Sequence, residues 1–598
     1  MKLRLIPASV LLAAALAVAA TAQSPAPADA RSQTPAVIAQ LEIRGLAPLF
    51  NQAARMAAPF APAQQVDSIV KDFLHQICPV DLLALSGRDS SEPIRVVLYA
   101  KPGADAPGGM LDIPAAHGDI DAFFEVVSRS CSTSAIPAAV AARLPPGARL
   151  YALPPPFAPR QAPRILFLPH GSRVAVWPLA FRGGVQPVQA ARLVAAFPPI
   201  GVEGVLAFRA DLEAIAGLAD SPTGLFADFA SDAAEFRNLP TTDFALGIGL
   251  DNADRLRFDI DYALRPGSAI GRYLSTTASP APFVNAALFP DAIAAVAQHA
   301  DPTLVNQAYA DELFAGFASS PQYREIEPLL RGFAGLAPRL AALSSSDTAL
   351  ALYPSTPDRA LPWVSCTALP DGIASLDDFE TRASGVAHAL RDLAAMALSA
   401  AGEDCDAIED LAVCLVPVAT RSLADTDFSV RSYALTLAVP DKAPVTLLTF
   451  DAAIAGPALV LASLPESRLA TILSTLSTGT APSTTIAGLP AFASAYGPLP
   501  DGSAAAVVQL LPLLRGIVAK LRQYDVNLPS GLPEYLSAVP DTLALPVALS
   551  LRPGSAPATI RETLSLPLPD LHAFLQTLAR PRSAPSAPPP PSDPFADW

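Results

Sequence analysis

Four segments of this chain share a pattern in which an apolar stretch with helical spacing runs into Asp and then into a predicted short apolar strand. The segments begin at Asp81, Asp243, Asp347 and Asp541. The second and the fourth are followed by an identical Leu-Arg-Pro-Gly-Ser-Ala, at 264–269 and 551–556. This A-B-A-B order predicts an internal duplication, in which the first segment corresponds to the third and the second to the fourth. A feature shared by both copies is more simply structural than catalytic.

Each unit is predicted to contain a helix, an antiparallel hairpin and a closing helix. The helix is clearest between Val66 and Ile77, where apolar residues recur at i, i+3, i+4 and i+7. The hairpin is clearest at 244–264, where the second arm alternates apolar and polar residues. Asp119 and Asp570 precede apolar residues at identical offsets, which predicts that both are N-caps of closing helices.

These elements predict an α+β fold of two related lobes from an internal duplication, each with antiparallel hairpins and with helices packed on one face. The first lobe is assigned to 37–340, with modules around 60–135 and 195–280. The second lobe is assigned to 341–580, with modules around 341–400 and 500–580.

The two ends of the chain are predicted to lie outside these lobes. Residues 1–22 have the pattern of a signal peptide, with Lys2 and Arg4 ahead of an apolar core and a cleavage site after Ala22. A Ser/Pro/Ala-rich leader follows at 23–36. The Pro-rich tail at 581–598 is predicted to be disordered. We therefore expect a periplasmic or secreted protein without a transmembrane anchor in the mature chain.

The alternation of short Asp-capped helices with strands that start at a Pro/Asp pair, as in Val539-Pro540-Asp541-Thr542, carries a resemblance. It resembles bacterial envelope proteins that share a domain of unknown function. The resemblance covers most of the mature chain and implies no activity.

Cysteine use is consistent with an oxidising compartment. Cys405 and Cys414 are close enough in sequence to close a small loop, and Cys78 and Cys131 bracket one module. These are the two candidate disulfides, and Cys366 is left over. Connectivity stays open, because spacing alone does not determine it.

No residue pattern in the chain predicts a catalytic, metal or cofactor site. The cluster His117-Gly118-Asp119-Ile120-Asp121 could hold a metal, but the predicted cap role of Asp119 explains it more simply. The acidic stretch 403–410 lacks the spacing of a calcium loop. A formal net charge of −15 opposes binding to nucleic acid.

The leading hypothesis is an exported, non-catalytic binding or scaffold protein with a groove between the lobes. Its ligand is unknown, and an apolar molecule or an envelope protein suits the apolar composition. One alternative is a secreted hydrolase whose residues converge from both lobes. Another is a protein–protein interaction module that uses the Pro-rich tail. No catalytic residue is assigned, and no cofactor is expected.

Overall fold

The computed structural model of the protein contains one antiparallel β-sheet of 20 strands, with helices packed on it. The structure describes residues 35–579 apart from positions 79, 102–103, 105–106, 137, 153–163, 179–184, 219–239, 276–287, 300, 319–326, 346, 357–358, 360, 401–410, 424–426, 439–442, 480–503, 524–535, 538 and 554–558. The α+β class predicted from the sequence is therefore confirmed, but the strands form a single sheet.

The strands are β1 Ala36–Ile43, β2 Ile94–Ala100, β3 Gly108–Pro114, β4 Ser132–Ser134, β5 Arg149–Ala152, β6 Arg164–His170, β7 Arg173–Pro178, β8 Leu206–Asp211, β9 Thr241–Leu250, β10 Arg255–Leu264, β11 Ala294–His299, β12 Asp347–Leu352, β13 Trp363–Ala368, β14 Ala412–Ser422, β15 Ser429–Ala438, β16 Val445–Ala455, β17 Ala458–Ala462, β18 Ala504–Gln509, β19 Pro546–Pro553 and β20 Thr559–Pro567. The hairpin predicted at 244–264 is formed by β9 and β10.

The described helices are α1 Leu46–Ala57, α2 Ala63–Ile77, α3 Leu82–Ser86, α4 Ile120–Ser130, α5 Ala138–Ala141, α6 Pro187–Ala196, α7 Leu212–Leu218, α8 Ala269–Ser275, α9 Gln307–Ala318, α10 Glu327–Ala341, α11 Leu376–Ala400, α12 Glu466–Thr478, α13 Leu510–Gln523 and α14 Leu568–Ala579. Short 3₁₀ turns lie at Ala116–Gly118 and Pro302–Leu304. The helix predicted between Val66 and Ile77 is α2.

The strand order of the sheet repeats itself. The strands pair in the order β4-β5-β6-β7-β3-β2-β1-β8-β9-β10-β20-β19-β18-β11-β12-β13-β17-β16-β15-β14. Read from one edge to the centre, the order is β4-β5-β6-β7-β3-β2-β1-β8-β9-β10. Read from the other edge to the centre, it is β14-β15-β16-β17-β13-β12-β11-β18-β19-β20, which is the same order with ten added to each strand number. We call 36–275 the first half and 294–579 the second half; they meet where β10 pairs with β20.

Helices cover both faces of the sheet, whereas the sequence analysis predicted one face. Face A carries Ile113 and Val176, which share a core with Phe123 of α4. Face B carries Trp177, which shares a second core with Val194 of α6. All residues of β3 are buried, so apolar layers are needed on both sides.

The second half is covered in the same way. On face A, Phe379 of α11 packs edge-on against Tyr433, with ring centroids 5.8 Å apart. On face B, Leu473 of α12 shares a core with Val460. In the first half, α4 follows β3 and α6 follows β7. In the second half, α11 follows β13 and α12 follows β17, so the covering helices follow equivalent strands.

The helix that follows the last strand of each half contacts the other half. The backbone N–H groups of Ala269 and Ile270, at the start of α8, donate to the Glu312 carboxylate of α9 over 2.7 and 2.9 Å. In return, His572 of α14 donates from Nε2 to the carbonyl oxygen of Met56 at 2.9 Å. The β10–β20 ladder and these two contacts join the halves.

The four Asp-led segments lie in different kinds of element, so the correspondence based on them is wrong. Asp81 caps α3, where its Oδ1 accepts from the N–H groups of Leu83 and Ala84. Asp243 lies within β9 and Asp347 begins β12, while Asp541 lies in a turn before β19. Asp satisfies nearby backbone N–H groups at caps and turns alike, so the local pattern does not identify the element.

The change from one half to the other also falls earlier than the sequence suggested. The first ten strands end at Leu264 and the next begins at Ala294, so 307–341 contains α9 and α10 of the second half. The shared Leu-Arg-Pro-Gly-Ser-Ala begins at the end of β10 in one copy and within β19 in the other. In the repeated strand order β10 corresponds to β20 and β19 corresponds to β9, so the two copies lie on strands that do not correspond to one another.

Candidate functional site

The two residues predicted as helix caps have different positions. Asp119 stands before α4, and its Oδ1 accepts from the N–H groups of Asp121 at 3.0 Å and Ala122 at 2.9 Å. Asp570 is not a cap, because it lies inside the first turn of α14, which begins at Leu568. β20 is followed directly by α14, without a connecting loop. Asp570 still interacts favourably with the helix dipole in the first turn.

The His117–Asp121 cluster does not form a metal site in the structure. His117 has a left-handed backbone, with φ of 54°, in the 3₁₀ turn before α4. The Asp119 carboxylate accepts hydrogen bonds from backbone N–H groups of α4. Across the described residues, no group of three His, Cys, Asp or Glu side chains could hold a metal ion. The acidic stretch 403–410 lies outside the residues that the structure describes.

The cysteines are present as thiols in the described part of the chain. Cys78 and Cys131 lie in the same face A core without a bridge, and burial raises the pKa of Cys78 to about 12. Cys366 is a buried free thiol of the second half. Cys414 is an exposed free thiol, and its predicted partner Cys405 lies outside the described residues.

The strands on either side of the junction carry a continuous apolar surface on face A. It is formed by the even-numbered residues 244–250 of β9 and 256–262 of β10, residues 564 and 566 of β20, and the odd-numbered residues 547–551 of β19. We call this surface the apolar strip. Phe258 and Leu564 face each other at its centre, directly across the junction. All of these side chains are partly exposed.

The opposite face of β9 is covered by segment 198–205, where Val202 packs with Ala207 and Ala245. A Cβ added to Gly247 would lie 1.7 Å from the carbonyl oxygen of Glu203, so only glycine allows this approach. The guanidinium of Arg561, from the second half, donates to the carbonyl of Gly201 at 3.1 Å. Segment 198–205 therefore covers face B at β9, whereas the side chains of the apolar strip on face A are partly exposed.

One polar pair lies within the apolar strip. The Tyr262 hydroxyl donates to Oε2 of Glu562 at 3.2 Å, across the β10–β20 ladder. Burial, with the nearby Glu562 carboxylate, raises the pKa of Tyr262 to about 12. The phenol is therefore neutral at physiological pH, and because its one hydrogen is donated to Glu562, its oxygen can accept a further hydrogen bond.

The strip could be recognised only in part from the sequence. The alternation in 256–262 predicted that one face of β10 is apolar, but no pattern indicated which helices would cover that face. No protein-family model matches this chain, and the comparisons with curated proteins and with solved structures also gave no match. Among the described helices, none is long and apolar enough to cross a membrane.

Proposed function

We propose that the protein is an exported, non-catalytic binding protein whose ligand has a long hydrocarbon portion and lies on the apolar strip. The observation that supports this most directly is the continuity of apolar, partly exposed side chains across the junction of the two halves. Contiguous apolar surface on this scale is uncommon on a monomer and usually marks a binding region. Export follows from the signal sequence at 1–22, with cleavage after Ala22.

The dimensions of the strip favour an elongated ligand. Strands rise about 3.4 Å per residue, so the seven residues 244–250 of β9 that bound the strip correspond to roughly 24 Å. Four strands spaced about 4.8 Å apart are only about 14 Å across. Helix contacts between the halves lie at both ends, at Met56–His572 and at Ala269–Glu312. An extended hydrocarbon chain fits such a surface better than a flat protein partner does.

The chemistry of the strip favours an amphiphile with a weakly polar group. Binding sites for small molecules combine a mainly apolar lining with a few placed polar groups. Tyr262 and Glu562 are such groups here, since both lie among apolar neighbours and one hydroxyl bonds one carboxylate. The ligand would place its polar group near this pair and its hydrocarbon near Phe258 and Leu564.

We also infer that the two halves arose by internal duplication. The support is the repeated strand order, the equivalent positions of the covering helices and the reciprocal contacts of α8 and α14. In this correspondence β1–β10 match β11–β20, which differs from the register of the Asp-led segments. The binding strip then spans the interface between the two copies.

A fluorescent long-chain alcohol tests the binding function. Titration of the full chain with a pyrene-labelled dodecanol, whose hydroxyl is uncharged, should show saturable binding, and Phe258→Ala and Leu564→Ala should each weaken it about five- to tenfold. Ile69→Ala is the matched control, because Ile69 is an apolar residue of α2 that is 56% exposed and lies elsewhere. Thermal melts should show that each variant folds.

Two results would count against the proposal. Equal affinity of wild type and both strip variants would place the probe at another surface. Absence of saturable binding, together with capture of a specific envelope protein that depends on Phe258, would favour a protein partner instead.

A further inference from the structure

Equivalent positions on face B are polar in the first half and apolar in the second. The β6–β7 and β16–β17 hairpins both turn through two residues that begin with glycine, Gly171 at φ 58° and Gly456 at φ 57°. When these turns are aligned, the strand register makes each of six polar residues in the first half equivalent to a small residue in the second half. The polar set is Gln40, Glu42, Arg95, Asp112, His170 and Arg173, and the small set is Ala295, Ala297, Ala349, Cys366, Ala455 and Ala458, in the same order.

The small set in the second half lies in an apolar core. Ala295, Ala297 and Cys366 belong to one buried core with Leu469 and Leu473 of α12. Apolar side chains of this core therefore occupy the layer next to these positions.

The polar set in the first half forms paired groups in that layer. Asp112 is 1% exposed, and its carboxylate accepts from Nε of Arg173 at 2.8 Å and from Nε2 of His170 at 3.0 Å. Glu42 is 3% exposed and lies 3.4 Å from Nε of Arg44 and 3.8 Å from Nε of Arg95. Each buried carboxylate thus has a cationic neighbour, and the layer carries little net charge.

Gln40 is the exception among these residues. It is 1% exposed, and neither its amide nitrogen nor its amide oxygen has a hydrogen-bond partner among the described residues. Nε of Arg95, diagonally across the β1–β2 ladder, also makes no hydrogen bond there. Buried polar groups are nearly always partnered, by protein, water or ligand. An unpartnered buried amide would cost about 1–3 kcal/mol.

We propose that the Gln40 amide binds a small neutral molecule that presents a carboxamide group. Such a group has one donor next to one acceptor, which matches the acceptor and donor of the Gln40 amide in a cyclic pair of hydrogen bonds. Nε of Arg95 supplies a further donor to the ligand oxygen. A neutral molecule is favoured because the carboxylates already have cationic neighbours. This site is on face B and is independent of the apolar strip.

The test compares full-length wild type, Gln40→Leu and Ala295→Gln. Each protein is denatured after purification, and the released small molecules are measured by mass spectrometry. Thermal melts are recorded with and without acetamide as a minimal carboxamide. Wild type should release a bound molecule or gain in Tm with acetamide, and Gln40→Leu should bind at least about tenfold more weakly. Ala295→Gln should lower Tm without a response to acetamide, because Ala295 is packed in an apolar core.

The sign of the Gln40→Leu effect on Tm separates the outcomes. If a ligand is hydrogen-bonded to the Gln40 amide, Gln40→Leu removes those hydrogen bonds and lowers Tm. If the amide is unpaired, the apolar replacement raises Tm and the proposal is overturned. A wild type that releases no molecule and does not respond to acetamide holds only water at this position, and the proposal is then also wrong.

Discussion

The two halves share a strand order but bury face B by different means. In the second half, β11, β12, β13 and β17 present alanine and Cys366 to an apolar core that includes side chains of α12. In the first half, α6 covers an apolar part of face B, but the positions equivalent to those small residues carry polar groups that pair with one another, such as Asp112 with Arg173. The apolar solution derives its stability from area removed from water, whereas the polar one must satisfy every group it buries.

This difference teaches that topology does not dictate the content of a covered layer. Small residues allow a helix to approach the sheet closely and leave few specific requirements. Paired charges demand defined partners, and the removal of one partner leaves the other buried. The polar layer is therefore where single substitutions should have the largest effects, and where specificity for a ligand could be built.

The largest effect is expected at Asp112. Asp112→Ala should lower the free energy of unfolding by about 3–5 kcal/mol, because it leaves Arg173 and His170 without their buried partner. The equivalent change in the second half, Cys366→Ala, should cost only ~1 kcal/mol, since it removes one apolar atom. Chemical denaturation of both variants checks this. Equal losses would contradict the difference that we draw between the halves.

A smaller effect is expected at Gly247, whose equivalent in the second half is Ser550. Gly247→Ala should destabilise the protein by about 1–3 kcal/mol, because the added methyl group would overlap the carbonyl of Glu203. Ser550→Ala, which adds no atoms, is the matched control and should change stability by less than about 1 kcal/mol. Denaturation midpoints measure both. A neutral Gly247→Ala would show that segment 198–205 does not press on face B.

The smallest effect is expected at the N terminus of α4. Asp119→Ala should cost about 0.5–2 kcal/mol, while Asp119→Asn should be nearly neutral, because Asn caps about as well as Asp. Asp570→Ala in α14 should cost less, about 0.3–1 kcal/mol, since only the helix dipole is affected. Thermal melts with and without a chelator provide the measurement. A loss for Asp119→Asn that depends on the chelator would revive the metal hypothesis for His117–Asp121.

Local elements could be predicted from the sequence where they depend on nearby residues. The helical spacing between Val66 and Ile77 predicted α2, and the alternation in 256–262 predicted β10. The cap at Asp119 has the bonds that its position predicted. The Asp-led segments failed as markers, because Asp serves helix caps, strands and turns through similar short-range bonds. The apolar strip was seen only as one alternating strand.

The sequence by itself determined local elements such as α2, β10 and the cap at Asp119, and that the fold is α+β, because these depend on the type and periodicity of neighbouring residues. Only the tertiary structure decided that β10 pairs with β20, that one sheet replaces two lobes, and that α8 and α14 contact opposite halves. It alone placed helices on both faces and left Gln40 buried with no hydrogen-bond partner among the described residues. These features depend on contacts between residues up to hundreds of positions apart, and no local pattern in the chain specifies such pairings.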